Sequence, residues 1–264
     1  MRWLVLSFSL LWAQPALSQG VYSDQYSQIC TLGTRSEAGC DAIRARAVLE
    51  ADQPPWRAIG RINFASRAQR SHCTGVLISD VLVLTAAHCL YNSARQKWLP
   101  LASIRFAAGY QRSTAAAVSV VKAYRLHPEQ GIDGRFDDRT GLDWAVLELE
   151  TPIGEQVGFL PLAEGLDAAT FVTGYPGIRP HVLSRTGLCP PRRHAGGVLL
   201  ANCPVMMGDS GAPLLVDTPS GPQVLAILSR VAATPEGVTA LFLSTDLFDL
   251  DPDRVRFRRP GPGQ

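Results

Sequence analysis

The sequence predicts a mostly β protein, a sandwich or a pair of barrels, on three observations. Short apolar runs recur along most of the chain, turn residues separate them, and no long run carries helical periodicity. Gly (23) and Pro (19) are scattered between these runs rather than gathered into one low-complexity tract. The runs read as strands over 73–78, 81–84, 104–108, 118–124, 144–149, 198–201, 213–216, 224–228 and 238–244. With 46% hydrophobic and 18% charged residues in 264, the chain can bury a sizeable core in one large or two small domains. The Pro- and Gly-bearing stretch 150–158 reads as a seam between two halves.

Charge excludes some functions. Lys+Arg number 25 and Asp+Glu 23, so nothing in the net balance of +2 calls for nucleic acid or an anionic membrane surface. Residues 1–18 combine Arg2, an apolar run from Trp3 to Trp12 and the small residues Ala16 and Ser18, the pattern of a cleaved secretory signal. The run is too short to span a bilayer, which needs about 20 apolar residues, and no later segment spans one. A secreted or periplasmic location follows. Export permits disulfides, and the six cysteines fall into three sequence-close pairs, predicting Cys30–Cys40, Cys73–Cys89 and Cys189–Cys203. The competing reading is a zinc site from His72-Cys73 and His88-Cys89, whose doublets lack the usual C-x-x-C and H-x-x-x-H spacing. No metal or cofactor is expected.

Residues 19–46 form a polar segment with its own cysteine pair and the basic end Arg44-Ala45-Arg46. It reads as a propeptide or as an extension packed on the domain. Residues 47–250 form the main domain, and 251–264 a Pro/Gly-rich tail.

Three segments carry chemistry: Thr85-Ala86-Ala87-His88-Cys89, Asp143-Trp144-Ala145-Val146-Leu147 and Gly208-Asp209-Ser210-Gly211-Ala212-Pro213-Leu214. A serine hydroxyl is a poor nucleophile near neutral pH; it needs an imidazole base, which in turn needs a carboxylate to fix its tautomer. His88, Asp143 and Ser210 supply these parts. The α/β-hydrolase order requires a histidine after the serine, yet the last histidine is His194, and Ala212 breaks the G-x-S-x-G elbow. Asp133, Asp137 and Asp138 are rival carboxylates in a Gly-rich polar stretch, whereas Asp143 abuts an apolar strand suited to a buried orienting group. A calcium loop from those aspartates lacks the required alternation of ligands. His127, His181 and His194 read as structural or solvent-facing.

In this order, TAAHC, DWAVL and GDSGAPL resemble the trypsin-like, chymotrypsin-fold serine proteases, and within them the bacterial branch that includes glutamyl endopeptidases. The resemblance covers residue 47 to about residue 250. It implies an all-β fold of two antiparallel Greek-key barrels with the active site in the cleft between them, and it supports the Cys73–Cys89 bridge. It also implies a serine endopeptidase acting on polypeptides through an acyl-enzyme, with His88, Asp143 and Ser210 catalytic. Gly208 lets the backbone approach closely, so the Gly208 and Ser210 N–H groups are the oxyanion donors. By the same resemblance, Asp209 pairs with a new ammonium created when an activating protease cuts after Arg46, freeing Ala47. Ala47 departs from the family's larger apolar first residue. The specificity pocket aligns on Pro204, Ser229, Arg230 and Val231. Without an acidic floor, Arg or Lys preference is not expected, and Leu228 stands where glutamyl endopeptidases place a histidine. Arg230 is expected to face solvent. A monomer is expected. The rival classes are a catalytically silent homologue acting as a binding module and a zinc-stabilised binding domain.

Overall fold

A computed structural model describes residues 30, 37–64, 72–165, 169–234, 237–248 and 250. The expected signal, the first part of the 19–46 segment and the 251–264 tail lie outside the described residues. The strands in chain order are β1 Ala47–Val48, β2 Ile59–Phe64, β3 His72–Leu77, β4 Leu82–Thr85, β5 Tyr91–Asn92, β6 Lys97–Trp98, β7 Ile104–Ala108 and β8 Ala117–Leu126. They continue as β9 Ala145–Leu149, β10 Thr170–Gly174, β11 Ser184–Arg185, β12 Arg192–Arg193, β13 Val198–Asn202, β14 Pro213–Thr218, β15 Gly221–Thr234 and β16 Gly237–Ser244. Helix is confined to α1 Glu37–Arg44, α2 Gly154–Val157 and single 3₁₀ turns among the described residues.

The first half closes into a six-stranded antiparallel barrel in the order β2-β3-β4-β9-β8-β7. Period-two patterning explains which face turns inward. Along β8, Ser119, Val121 and Ala123 are buried while Val118 and Lys122 face outward, and Lys122 pairs with Glu148 on neighbouring β9. Ile59, Ile62, Val76, Leu84, Phe106, Val146 and Leu147 belong to one core cluster and have no exposed surface. Each such side chain contributes roughly 1.5–3 kcal/mol of burial.

The second half is an eight-stranded antiparallel sheet, β1-β11-β10-β14-β15-β16-β13-β12, wrapped around its own core of Val172, Leu199, Leu214, Ala226, Leu228, Ala240 and Phe242. Cys189 donates its N–H to Thr170 beside β10, and Cys203 donates to Val238 in β16; their disulfide therefore ties distant strands of the sheet together. The halves form the all-β, two-barrel architecture. The segment carrying α2 connects them: Gly154 N–H bonds Asp80 in the first half, and Ala163 N–H bonds Val224 in the second.

All three disulfides join the pairs expected from spacing. Cys73 and Cys89 lie in a cluster with His88, but both sulfurs are consumed by the disulfide and His88 Nδ1 faces Asp143, which removes the zinc reading. Observed strands extend the expected ones by one or more residues in most cases; β15, expected over 224–228, runs from Gly221 to Thr234. The described part of the 19–46 segment is packed on the second barrel: Ile43 is fully buried in its core.

Candidate active site

His88 lies on a 3₁₀ turn, Ala87–Leu90, that begins two residues after β4 ends and is anchored by the Cys73–Cys89 bridge to β3. Asp143 lies two residues before β9, which pairs with β4. The pairing brings Thr85 opposite Ala145, so the residues just past each strand end meet. His88 Nδ1 is 2.8 Å from Asp143 Oδ2 and 3.1 Å from Oδ1, and the His88 backbone N–H donates to Oδ1 at 2.8 Å. Asp143 has no exposed surface. A carboxylate accepts only, so it holds the proton on Nδ1 and leaves Nε2 as the basic nitrogen.

Ser229, aligned with the pocket wall, points its hydroxyl elsewhere: it donates to Asp143 Oδ2 at 2.6 Å and is fully buried. Asp143 thus accepts from an imidazole, a backbone amide and a hydroxyl. The rivals are placed differently. Asp137 pairs with exposed Arg139, whose guanidinium lowers its pKa, and Asp133 caps the N–H of Arg135. His127 packs edge-on against Trp144, His181 bonds Tyr110, and His194 is exposed.

Ser210 sits in the turn 206–211 that precedes β14, and only 7% of it is exposed. Its peptide orientations follow from bonds on their opposite sides. The Met207 carbonyl accepts from Gly177 N–H at 2.7 Å, which aims the Gly208 N–H of the same trans peptide the other way. The Asp209 carbonyl accepts from Ala212 N–H at 2.7 Å, which does the same for the Ser210 N–H. Gly208 has φ +95°, and a Cβ there would lie 2.5 Å from the Tyr175 carbonyl oxygen and 2.7 Å from His72 Nε2. Only glycine fits.

Thr74, on β3, latches this turn to the first barrel. Its N–H donates to the Ser210 carbonyl at 2.9 Å, its hydroxyl donates to the Gly208 carbonyl at 2.9 Å and accepts from Tyr175 N–H at 3.2 Å. Gln130, fully buried, braces the stretch before Asp143 by bonding Asp137 on both its N–H and carbonyl. Sequence reasoning missed both. A threonine beside a bridging cysteine carries a weak signal, and Gln130 carries none.

Around the remaining pocket positions, Pro204 is partly buried and Val231 is buried with Val205, Met206, Leu228 and Ala240 in the second core. Arg230 is half-buried, and its Nη2 donates to the Asp138 carbonyl, a tie from β15 to the stretch preceding Asp143. Asp209 is fully buried, and in the uncut chain it pairs with the Arg46 guanidinium.

His72 adds a titratable group beside the turn. Its Nε2 faces the Tyr175 carbonyl at 2.8 Å, so Nε2 carries the proton. Burial lowers its pKa from 6.5 to about 4, the Tyr175 bond opposing and nearby Arg61 and His181 reinforcing. The unfolded chain therefore binds a proton that the folded chain refuses between these values. The stabilisation is complete above pH 6.5 and is lost as pH falls to about 4, on the order of 3 kcal/mol. Comparing unfolding free energies of wild type and His72→Gln across this window checks this: the variant should lack that part of the decline, and equal slopes would contradict it.

The profile of the trypsin family matches residues 49–186, more than half of the chain. The chain belongs to the trypsin family. Among curated proteins, it is similar to a glutamyl endopeptidase of Bacillus licheniformis, 27% identical over 127 residues, or 47% of this chain and 37% of that protein. The match therefore spans little more than a third of that relative's length. Among solved structures, a Glu endopeptidase in complex with MPD aligns with TM-score 0.60 and 21% identity, covering 76% of this chain and 92% of that one. A thermostable serine protease, AL20, from an extremophilic microorganism aligns with TM-score 0.55 and 18% identity over 71% of this chain and 91% of its own. The protease Anisep of Arthrobacter nicotinovorans aligns with TM-score 0.56 and 17% identity over 71% and 90%. These likenesses establish the two-barrel, chymotrypsin-type fold of this trypsin-family member.

Proposed function

We propose that this protein is an exported serine endopeptidase that hydrolyses peptide bonds in polypeptides through an acyl-enzyme. The observation that carries the reading is the acceptor-only seat of Asp143, which fixes His88 with Nε2 basic beside the turn bearing Ser210. Ser210 Oγ attacks the scissile carbonyl while His88 Nε2 takes its proton. His88 then returns that proton to the leaving amine, and water repeats the cycle to release the acid. The Gly208 and Ser210 N–H groups, turned away from the carbonyls that Gly177 and Ala212 engage, stabilise the oxyanion.

Pro204 leaves the aligned pocket floor without an acid and Leu228 stands where glutamyl endopeptidases place a histidine, so neither a basic nor a glutamate preference is carried over. The signal-like residues 1–18 and the disulfides support action outside the cytoplasm.

Incubating the exported protein with unfolded casein tests the activity. The account expects new peptides whose formation is lost in Ser210→Ala. Casein left intact by folded wild type would favour the binding-module alternative.

A further inference from the structure

Arg46 and Asp209 lie 163 residues apart in sequence, yet they form an ion pair with Nη1 2.7 Å from Oδ2 and neither side chain exposed. The guanidinium is further held by the Ser184 carbonyl at 2.6 Å and approached by the Gly174 carbonyl at 3.4 Å. Asp209 Oδ2 also accepts the Met206 N–H at 3.1 Å, so the carboxylate closes the very turn that carries Gly208 and Ser210. The site is built to take this carboxylate: a Cβ on Gly174 would lie 2.6 Å from Asp209 Oδ1. Burial alone raises the Asp209 pKa, and Arg46 is the largest influence opposing that rise.

The backbone on either side of Arg46 is tied down, although the side chains of Arg44, Ala45, Ala47 and Val48 are exposed. Ala47 and Val48 pair with Arg185 and Ser184 in β11, and Arg179 Nη1 donates to the carbonyls of Arg44 and Arg46. Just upstream, Ile43 is buried in the second core and Cys40 is bridged to Cys30. A protease cutting after Arg46 would have to extract this side chain from its cage to seat it in its own pocket.

We infer that Arg46 is a positioning residue: its guanidinium holds Asp209, and through it the 206–210 turn, in the substrate-ready shape, so the uncut chain is competent with residues 37–46 in place. The inference rests on reading Ser210 as the nucleophile. It replaces activation by a cut after Arg46 with a cation supplied from within the chain.

Two measurements test it. The first needs no variant: exported wild type is treated with a fluorophosphonate and its intact mass measured. Label on the species that retains Arg46 is expected. Label confined to species beginning at Ala47 overturns the inference and leaves the nucleophile standing, whereas no label on any species removes both. The second compares Arg46→Ala, Arg46→Lys and wild type on a chromogenic peptide ester, with near-ultraviolet circular dichroism confirming the fold. Arg46→Ala should lose about 100-fold or more in kcat with KM little changed, as for a lost oxyanion donor. Millimolar guanidinium should restore part of that loss, and Arg46→Lys should retain part of it. A folded Arg46→Ala protein with wild-type kcat, or one that guanidinium leaves unchanged, contradicts the positioning role.

Discussion

Asp143→Asn should lower kcat on the order of 10⁴-fold at neutral pH while leaving the melting temperature close to wild type. Three donors converge on the Asp143 carboxylate: the His88 ring, the His88 backbone N–H and the Ser229 hydroxyl. An asparagine keeps the shape but offers one acceptor oxygen and an NH₂ that must face one of these partners. If the amide faces the ring, His88 Nδ1 becomes an acceptor, the proton moves to Nε2, and the base toward Ser210 is gone. The loss should therefore appear in kcat and kcat/KM together, the signature of a group that acts in the transition state. Steady-state kinetics on a peptide ester measure it. A variant within tenfold of wild type would mean that Asp143 does not orient the catalytic base.

Gly208→Ala should cost about 100- to 1000-fold in kcat. At φ +95° the alanine is conformationally strained, and its Cβ would collide with the Tyr175 carbonyl and the His72 ring, neither of which can retreat freely. The cheapest relief is rotation of the 207–208 peptide, which breaks the 2.7 Å bond from Gly177 and swings the Gly208 N–H out of the oxyanion position. Since His88 and Asp143 are untouched, the variant should still fold and react slowly with a fluorophosphonate. Kinetics within a few fold of wild type would show that this amide does not serve the oxyanion.

Much of this is legible in the sequence, for physical reasons. Strands with alternating burial such as Gly237–Ser244, where Val238, Ala240 and Phe242 are buried between half-exposed Thr239 and Leu241, announce themselves through that alternation. Short strands paired mainly through backbone, such as Ala47–Val48 and Arg192–Arg193, have exposed side chains and leave no apolar pattern. Strand β10, Thr170–Gly174, is buried throughout, so it shows no alternation either. The candidate site divides the same way. His88, Asp143 and Ser210 stand in dense local motifs, whereas Thr74 and Ser229 act through contacts between segments far apart in the chain and Gln130 through bonds inside the irregular stretch that leads to Asp143. The partner of Asp209 is the sharpest case: the sequence suggests a cation near residue 46, but an ammonium exists there only after a cut, and only the fold shows that the Arg46 side chain reaches Asp209 across 163 residues in the uncut chain.

The central claim is that Ser210 is an activated nucleophile. Reaction of folded protein with a fluorophosphonate, followed by peptide mapping, tests it most directly. The account predicts a single adduct on the peptide containing Ser210, absent from Ser210→Ala and strongly slowed in Asp143→Asn. Folded wild type that takes no label, or takes it on another serine, would contradict the account.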